Sequence, residues 1–468
     1  MNKEVKRMVV VFVAVCILFV GLIVYLSYFQ IFTASKIKNN SYNKRLWINE
    51  ENILRGSIID RNGKILAYSE KADDSTIRHY NFDNIYSHII GYSYREYGKA
   101  GLELEYNNEL LNIKESTPLQ EIQNIITPST EGNSLKLTID HGLQEYSNEL
   151  LNGKKGAIVA MNPKTGEIYS MVSQPNFNPN TLREQWNNIM EHPDSPFLNR
   201  AITGLYTPGS TFKVITAAAA LESPDVEKNF QCTGTLTVEG YTLKDYSETA
   251  HGNLDLQEAL VKSCNTYFAN MGLQIGKDRL GEVADKFMIN KEIPFDLPTA
   301  SSSFPYKKNL GKTDIAASSF GQGEVLVTPL NMAMVASGVG NNGKIVRPIL
   351  VKEVISPKGN TISTNETIVL SNTMDSSHAN ELKNMMAQVV NSGTGTNAKI
   401  DNIRVAGKTG TAENPTGKSH SWFIGFAPAD DPKVAVCVIL EDEGTTGGQG
   451  AAPIARNVMM EAINNIQD

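Results

Sequence analysis

Thr207-Pro208-Gly209-Ser210-Thr211-Phe212-Lys213 runs straight into Val214-Ile215-Thr216-Ala217-Ala218-Ala219-Ala220-Leu221. Proline and glycine give a sharp entry, and the alanine-rich run after them has the composition of a buried helix. Ser210 therefore falls at a helix start. At i and i+3 on that helix, Ser210 and Lys213 share a face, with Cβ atoms about 5–6 Å apart. The amine then lies within reach of the hydroxyl. Burial of the helix disfavours the ammonium form and moves the lysine toward the pKa a general base needs. The plainer alternative is a serine cap beside a surface lysine, but the residues after Lys213 are not of the solvent-facing type.

The same S-x-x-K spacing begins at Ser35 and Ser41, in polar sequence that opens no apolar helix. There the cap reading fits. Two other short motifs need the same sorting. S-x-N begins at Ser41, Ser263 and Ser363, and K-T-G at Lys164 and Lys408. Ser41 and Ser363 lie in polar, Asn-rich sequence. Ser263-Cys264-Asn265 stands between two helical stretches, Leu256 to Leu260 and Thr266 to Met271, where a polar pair can be held rigidly. Taken alone it reads as a helix–helix turn capped by serine. Lys164 sits in the hairpin turn Asn162-Pro163-Lys164-Thr165-Gly166. Lys408-Thr409-Gly410-Thr411 follows Val405-Ala406-Gly407 and reads as a sheet strand whose glycines let a ligand backbone approach. A lysine and two hydroxyls on it suit a carboxylate.

Around these motifs the chain alternates strands and helices. Leu135 to Ile139 alternates like a strand, and Asp140 can cap a helix from His141 to Leu151. Ala157 to Met161 and Glu167 to Val172 form two strands. Helical and loop-rich sequence runs from Asn180 to about Ser337. Ser421 to Ala427 and Lys433 to Leu440 are apolar strands joined at Asp430-Asp431-Pro432, and Ala451 to Ile466 closes as a helix. Strands, helices and strands again predict an α+β domain over 135–468, with terminal segments sharing one antiparallel sheet and a helical part between them. Ahead of it, 35–134 reads as a small β-rich module. Ile58-Ile59, the turn Asp60-Arg61-Asn62-Gly63 and Lys64-Ile65-Leu66 form a hairpin there, and Leu102 to Leu111 reads as helical.

Met8 to Phe32 is almost unbroken apolar sequence, long enough to cross a bilayer as a helix. It exceeds a signal-peptide core of about 7–15 residues, so an uncleaved anchor over 1–34 is expected. Lys3, Lys6 and Arg7 keep the N-terminus cytoplasmic under the positive-inside rule, and Tyr25 and Tyr28 suit the far interface. The rest of the chain is then expected on the extracytoplasmic face of a single-pass protein.

Bulk composition narrows the function. The 468 residues carry a formal net charge of -7, which gives no support to a nucleic-acid partner. The seven histidines include no HExxH and no Cys/His cluster at ligand spacing, so no metal site is expected. Of four cysteines, Cys16 lies in the apolar run. Cys232, Cys264 and Cys437 are too few for a disulfide framework; a Cys232–Cys264 bridge and buried free thiols are the two readings, and the count favours thiols.

Ser210-x-x-Lys213, Ser263-x-Asn265 and Lys408-Thr409-Gly410 stand in the order used by penicillin-binding proteins. Arg55-Gly56-Ser57-Ile58-Ile59-Asp60-Arg61-Asn62-Gly63 and Gly98-Lys99-Ala100-Gly101-Leu102-Glu103 also look like stretches that follow the anchor in class B members. The chain thus resembles, over nearly its whole length, a class B penicillin-binding protein of a short-pedestal type, a monofunctional peptidoglycan D,D-transpeptidase. Two departures stand out. The middle motif is Ser-Cys-Asn, which weakens a β-lactamase reading. The segment before the catalytic domain has no room for a glycosyltransferase domain.

The resemblance implies a serine β-lactamase-like transpeptidase fold on a pedestal. It implies Ser210 as nucleophile, Lys213 as base and Ser263 as proton relay. Asn265, Lys408, Thr409, Gly410 and Thr411 would bind a D-Ala-D-Ala stem peptide or a β-lactam. The backbone N–H groups of Ser210 and Thr411 would form the oxyanion hole. No cofactor is implied, and a polymerase partner of the SEDS glycosyltransferase type is. The alternatives are a D,D-carboxypeptidase, with water as acceptor, and a β-lactam sensor that acylates without turnover. A sensor calls for a cytoplasmic effector or several spans, and only residues 1–7 precede the apolar run.

Overall fold

The computed structural model describes residues 3–29, 53–72, 75–113, 130–414 and 417–466. The basic stretch from Ser35 to Arg45, the motif copies at Ser35 and Ser41 and the last residues of the apolar run lie outside these. Lys3–Tyr28 is one helix of 26 residues that contains an 18-residue window with a mean hydropathy of 3.2. At 1.5 Å per residue it is roughly 39 Å long, more than the ~30 Å of a bilayer's hydrocarbon core.

The hairpin that follows the apolar helix in sequence forms as the sequence predicts. Ile58–Ile59 pairs antiparallel with Ile65–Ala72, and Asp60 Oδ1 accepts from the backbone N–H groups of Asn62 and Lys64 to close the turn. Gly63 alone takes positive φ, at 88°. The helical reading of Leu102 to Leu111 resolves into two short helices, Leu102–Glu105 and Asn107–Leu110, separated at Tyr106. Glu103, on the first of them, is fully buried and is held by Arg55 and Arg78. Burial alone would raise its pKa; the two guanidiniums outweigh that and hold it below the usual range.

This hairpin belongs to a six-stranded sheet that draws on distant parts of the chain. Its order is Thr361–Thr364, Val351–Ile355, Ser134–Leu137, Ile58–Ile59, Ile65–Ala72 and Ser75–Tyr80. Ser134–Leu137 lies parallel to Ile58–Ile59 and antiparallel to Val351–Ile355. The residues around the expected division at 134 are therefore inside a shared sheet.

The second sheet has five antiparallel strands in the order Ala406–Ala412, His420–Ala427, Val434–Leu440, Gly156–Met161 and Ile168–Gln174. Its central strands are continuous apolar runs because both faces are covered. Ala157, Val159, Cys437 and Ile439 belong to one core, which includes the Lys213–Leu221 and Pro329–Gly340 helices. Ile158, Ala160, Val436 and Val438 face the other, under His141–Leu150 and Ala451–Asn465. Asp140 caps the former helix by accepting from the Leu143 N–H. The α+β reading and the N- and C-terminal sharing of one sheet hold. Within 180–337 the structure adds two small sheets: Phe230–Cys232 with Gly252–Leu254, and Thr235–Val238 with Tyr241–Lys244.

Candidate active site

Three segments meet at the edge strand of the five-stranded sheet. The first is the turn that carries Ser210. Gly209 adopts φ 54°, and Gly209–Phe212 makes one 3-10 turn before the helix Lys213–Leu221, every residue of which is buried. Thr211 Oγ1 donates to the Pro208 carbonyl, and Phe212 stacks on Phe304. The turn is wedged between two backbones. A Cβ on Gly209 would lie 2.6 Å from the Thr411 carbonyl oxygen, and one on Gly321 would lie 2.0 Å from that of Gly209. Only glycine allows this approach.

The second segment is Ser263-Cys264-Asn265. A capping box at Asp255 and Glu258 starts the helix Leu256–Lys262, and Ser263 ends it in the left-handed region at φ 58°. Cys264 then caps Asn265–Ile275. The third is the strand Ala406–Ala412, paired with His420–Ala427 so that Gly410 faces Trp422. Trp422 Nε1 donates to the Thr207 carbonyl and so ties this pair of strands to the Ser210 turn.

The two lysines converge on Ser263. Lys213 Nζ donates to the Ser263 carbonyl at 2.6 Å and to Asn265 Oδ1 at 2.7 Å, and lies 3.3 Å from Ser263 Oγ. Lys408 Nζ lies 2.9 Å from the same hydroxyl. Both lysines are fully buried. Burial pushes Lys213 down to about 7, against a smaller upward pull from Cys264 and Asp245. Lys408 is also driven well below its usual range, first by burial and then by the neighbouring Lys213. Ser210 is partly exposed, and among the described residues its hydroxyl makes no hydrogen bond. Thr411 Oγ1 accepts from the Gly447 N–H, whereas Thr409 Oγ1 bonds Thr394 Oγ1 at 2.6 Å. All eight predicted positions thus lie on the three segments that meet here.

Sequence reasoning missed the groups that hold the middle motif. The Lys244 carbonyl accepts from Asn265 Nδ2, and the buried Asp245 carboxylate accepts from the backbone N–H groups of Asn265 and Thr266. Lys244 ends and Asp245 follows a short hairpin that carries no motif. The alternation in Thr235-Leu236-Thr237-Val238 and the Glu239-Gly240 turn were the only local signal. The Cys232–Cys264 pair consists of free thiols, as is Cys437.

Comparison with known proteins agrees with this geometry. Residues 156–460 match the penicillin binding protein transpeptidase domain, and residues 55–135 match the penicillin binding protein A dimerisation domain. The chain is 33% identical to the peptidoglycan D,D-transpeptidase PbpA of Mycolicibacterium smegmatis over 99% of both chains. Among solved structures it is similar to the ceftriaxone acyl-enzyme complex of penicillin-binding protein A from M. tuberculosis. That match has a TM-score of 0.82 and 32% identity, over 89% of this chain and 99% of that one. A D,D-transpeptidase domain from Eggerthella lenta matches with a TM-score of 0.80 and 34% identity, over 88% and 99%. The chain belongs to the penicillin-binding protein transpeptidase family.

Proposed function

We propose that this chain is a single-pass, extracytoplasmic peptidoglycan D,D-transpeptidase with Ser210 as its nucleophile. On this reading 1–34 anchors it, 35–134 forms most of the pedestal and 135–468 carries the chemistry. The observation that carries it is the Ser263 hydroxyl held between two buried, pKa-depressed lysines beside the Ser210 turn. Ser210 Oγ attacks the penultimate D-Ala carbonyl of a stem peptide while neutral Lys213 takes its proton. The Ser210 and Thr411 N–H groups receive the oxyanion. As the C–N bond breaks, Ser263 passes a proton to the departing amine of the terminal D-Ala. An acceptor amine then attacks the acyl-enzyme, forms the cross-link and restores the serine.

The depressed pKa of Lys408 fits a part in binding. The substrate's terminal carboxylate supplies the counter-charge that favours the Lys408 cation, with Thr409 and Thr411 beside it. Asn265 holds the substrate amide. A polymerase of the SEDS type is the proposed partner on the membrane side. The test is labelling of intact spheroplasts with a membrane-impermeant fluorescent penicillin, followed by incubation of the purified chain with a D-Ala-D-Ala peptide and an amine. Wild type should be labelled and should form the amide product, and Ser210→Ala should do neither. Adduct on Ser210→Ala, or labelling only after permeabilisation, would overturn the assignment. Hydrolysis alone would make the protein a carboxypeptidase, and acylation without turnover a sensor.

A further inference from the structure

The helix Lys312–Ser319 runs into Phe320-Gly321-Gln322-Gly323-Glu324. Gly321 is the residue that presses on Gly209, and the residue after it has no part in the chemistry described so far. Gly321 and Gly323 take positive φ, at 80° and 74°. The N–H groups of Gly321 and Gln322 donate to the Ser318 and Ala317 carbonyls, and the Gly321 carbonyl accepts from the Gly209 N–H at 2.9 Å. Beyond the turn, Leu326 exchanges both backbone hydrogen bonds with Ser303, and Val327 does the same with Tyr206. The turn is thus fastened at both ends, and its middle residue is a glutamine. Gln322 is half-buried, and among the described residues its carboxamide makes no hydrogen bond.

Two contacts set the direction in which a donor peptide would lie. Lys408 reaches the Ser263 hydroxyl at 2.9 Å. Thr411, further along the same strand, lies against Gly209, where an added Cβ would be 2.6 Å from the Thr411 carbonyl oxygen. Ala406–Ala412 is the edge strand of its sheet, and an extended peptide can add to such an edge. A donor with its carboxylate at Lys408 and its scissile carbonyl at the Ser210 and Thr411 N–H groups runs from Lys408 toward Ala412. It leaves the cleft at the Gly209 end. Gly209 is wedged between Thr411 and Gly321, so the glutamine turn flanks that exit across from the strand. The Gln322 α-carbon is one step of about 3.8 Å beyond Gly321. Each extended donor residue also advances about 3.3 Å, which brings the residue before the penultimate D-Ala beside this turn.

We propose that Gln322 is a specificity-determining residue for the donor, and that its carboxamide hydrogen-bonds the peptide unit on the N-terminal side of the residue before the penultimate D-Ala. A carboxamide carries both donors and an acceptor, so it matches a backbone amide whatever side chain stands next to it. The turn holds Gln322 in place before the donor arrives, which limits the ordering cost of binding. The donor also supplies the partner that the half-buried carboxamide lacks in the free chain. Gln322 thereby favours a stem peptide over a bare D-Ala-D-Ala dipeptide. The assignment rests on the donor register proposed above.

The test uses the full-length chain in detergent and two donors that differ by one group. Nα,Nε-diacetyl-L-Lys-D-Ala-D-Ala carries the amide in question, and ε-acetamidohexanoyl-D-Ala-D-Ala lacks it. D-Ala release gives kcat/KM for each, normalised to the fraction of chain that penicillin acylates, so that only folded sites are counted. The ratio of the two values isolates the one contact, as in a double-mutant cycle. Gln322→Met keeps the side-chain length without the hydrogen bonds. In it the ratio of amide-bearing to amide-lacking donor should fall by about 10-fold, with the loss in KM rather than kcat. Glu324→Gln, at the exposed ion pair with Lys308, should keep the wild-type ratio. An unchanged ratio in Gln322→Met, whether both rates hold or both fall together, would overturn the assignment and leave the transpeptidase reading standing. A wild type that penicillin acylates but that releases D-Ala from neither donor would overturn that reading and this assignment with it.

Discussion

Lys213 and Lys408 carry the same amine, are buried alike and touch the same hydroxyl, yet they should fail differently. On the proposed mechanism Lys213 works as the neutral base, so acylation should rise as pH increases through about 7, where burial places its pKa, and level off above that. Lys213→Arg removes the neutral form altogether, since a guanidinium stays charged. Its acylation rate constant should fall by about 10²–10⁴-fold, the usual worth of general-base assistance. Lys408→Arg keeps the charge that the proposed carboxylate contact needs and should acylate partially, with weaker capture of substrate. Rapid-mixing measurements over a range of β-lactam concentrations and pH separate the two effects. Equal losses in both variants, or an unchanged pH profile in Lys213→Arg, would mean the roles are misassigned. The Ser210–Lys213 spacing was legible because it is local to one helix turn. The contacts Lys213 makes with Ser263 and Asn265 were not, because those residues arrive on another helix pair.

The Ser210 turn sits on an edge strand, and glycine backbones set how closely it does so. Gly321 has φ 80° and presses its α-carbon against the Gly209 carbonyl, so Gly321→Ala meets backbone at 2.0 Å. Gly240, in the exposed hairpin, has φ 86° with nothing within 4 Å of an added Cβ. Both alanine variants bear backbone strain of about 1–3 kcal/mol. Only Gly321→Ala should also displace Ser210, and a misplacement of about 1 Å costs on the order of 10²-fold in rate. Acylation kinetics and thermal melts of the two variants make the comparison; matched rates would show that the wedge does not position the serine. At this scale the sequence read well wherever one element faced two cores. His420–Ala427 and Val434–Leu440 are unmistakable because both faces are apolar. Thr361–Thr364 went unread as a strand because it is a fully exposed edge on which even Ile362 faces solvent, with no buried face to impose alternation.

The whole molecule interleaves its two sheets along the chain. Val351–Ile355 leaves the catalytic half to flank Ser134–Leu137, while Asp296 accepts from the Leu350 and Val351 N–H groups and from the Tyr106 hydroxyl. A chain that starts at Leu135 would strip Ile58–Ile59 from one side of Ser134–Leu137 and leave its apolar face open. It should therefore melt well below a chain that begins near Leu54, and should aggregate more readily, because an uncovered strand edge invites pairing. Light scattering and calorimetry on the two proteins provide the check, and equal melting points would show that the pedestal is dispensable to the shared sheet. The sequence had placed a boundary here because the apolar pattern changes near 134, and pattern alone cannot show which strands pair.

The interleaving also bears on the order in which the protein is made. On the proposed topology the N-terminus stays in the cytoplasm and the chain is exported from the apolar helix outward, which delivers Ile58–Ile59 and Ile65–Ala72 long before Val351–Ile355 emerges. Pairings between residues so far apart form slowly. For most of its passage the pedestal therefore waits with Ser134–Leu137 open along one side. The first part to leave the translocation channel is among the last to be completed, and a folding helper that guards an unfinished sheet would meet its client at that strand.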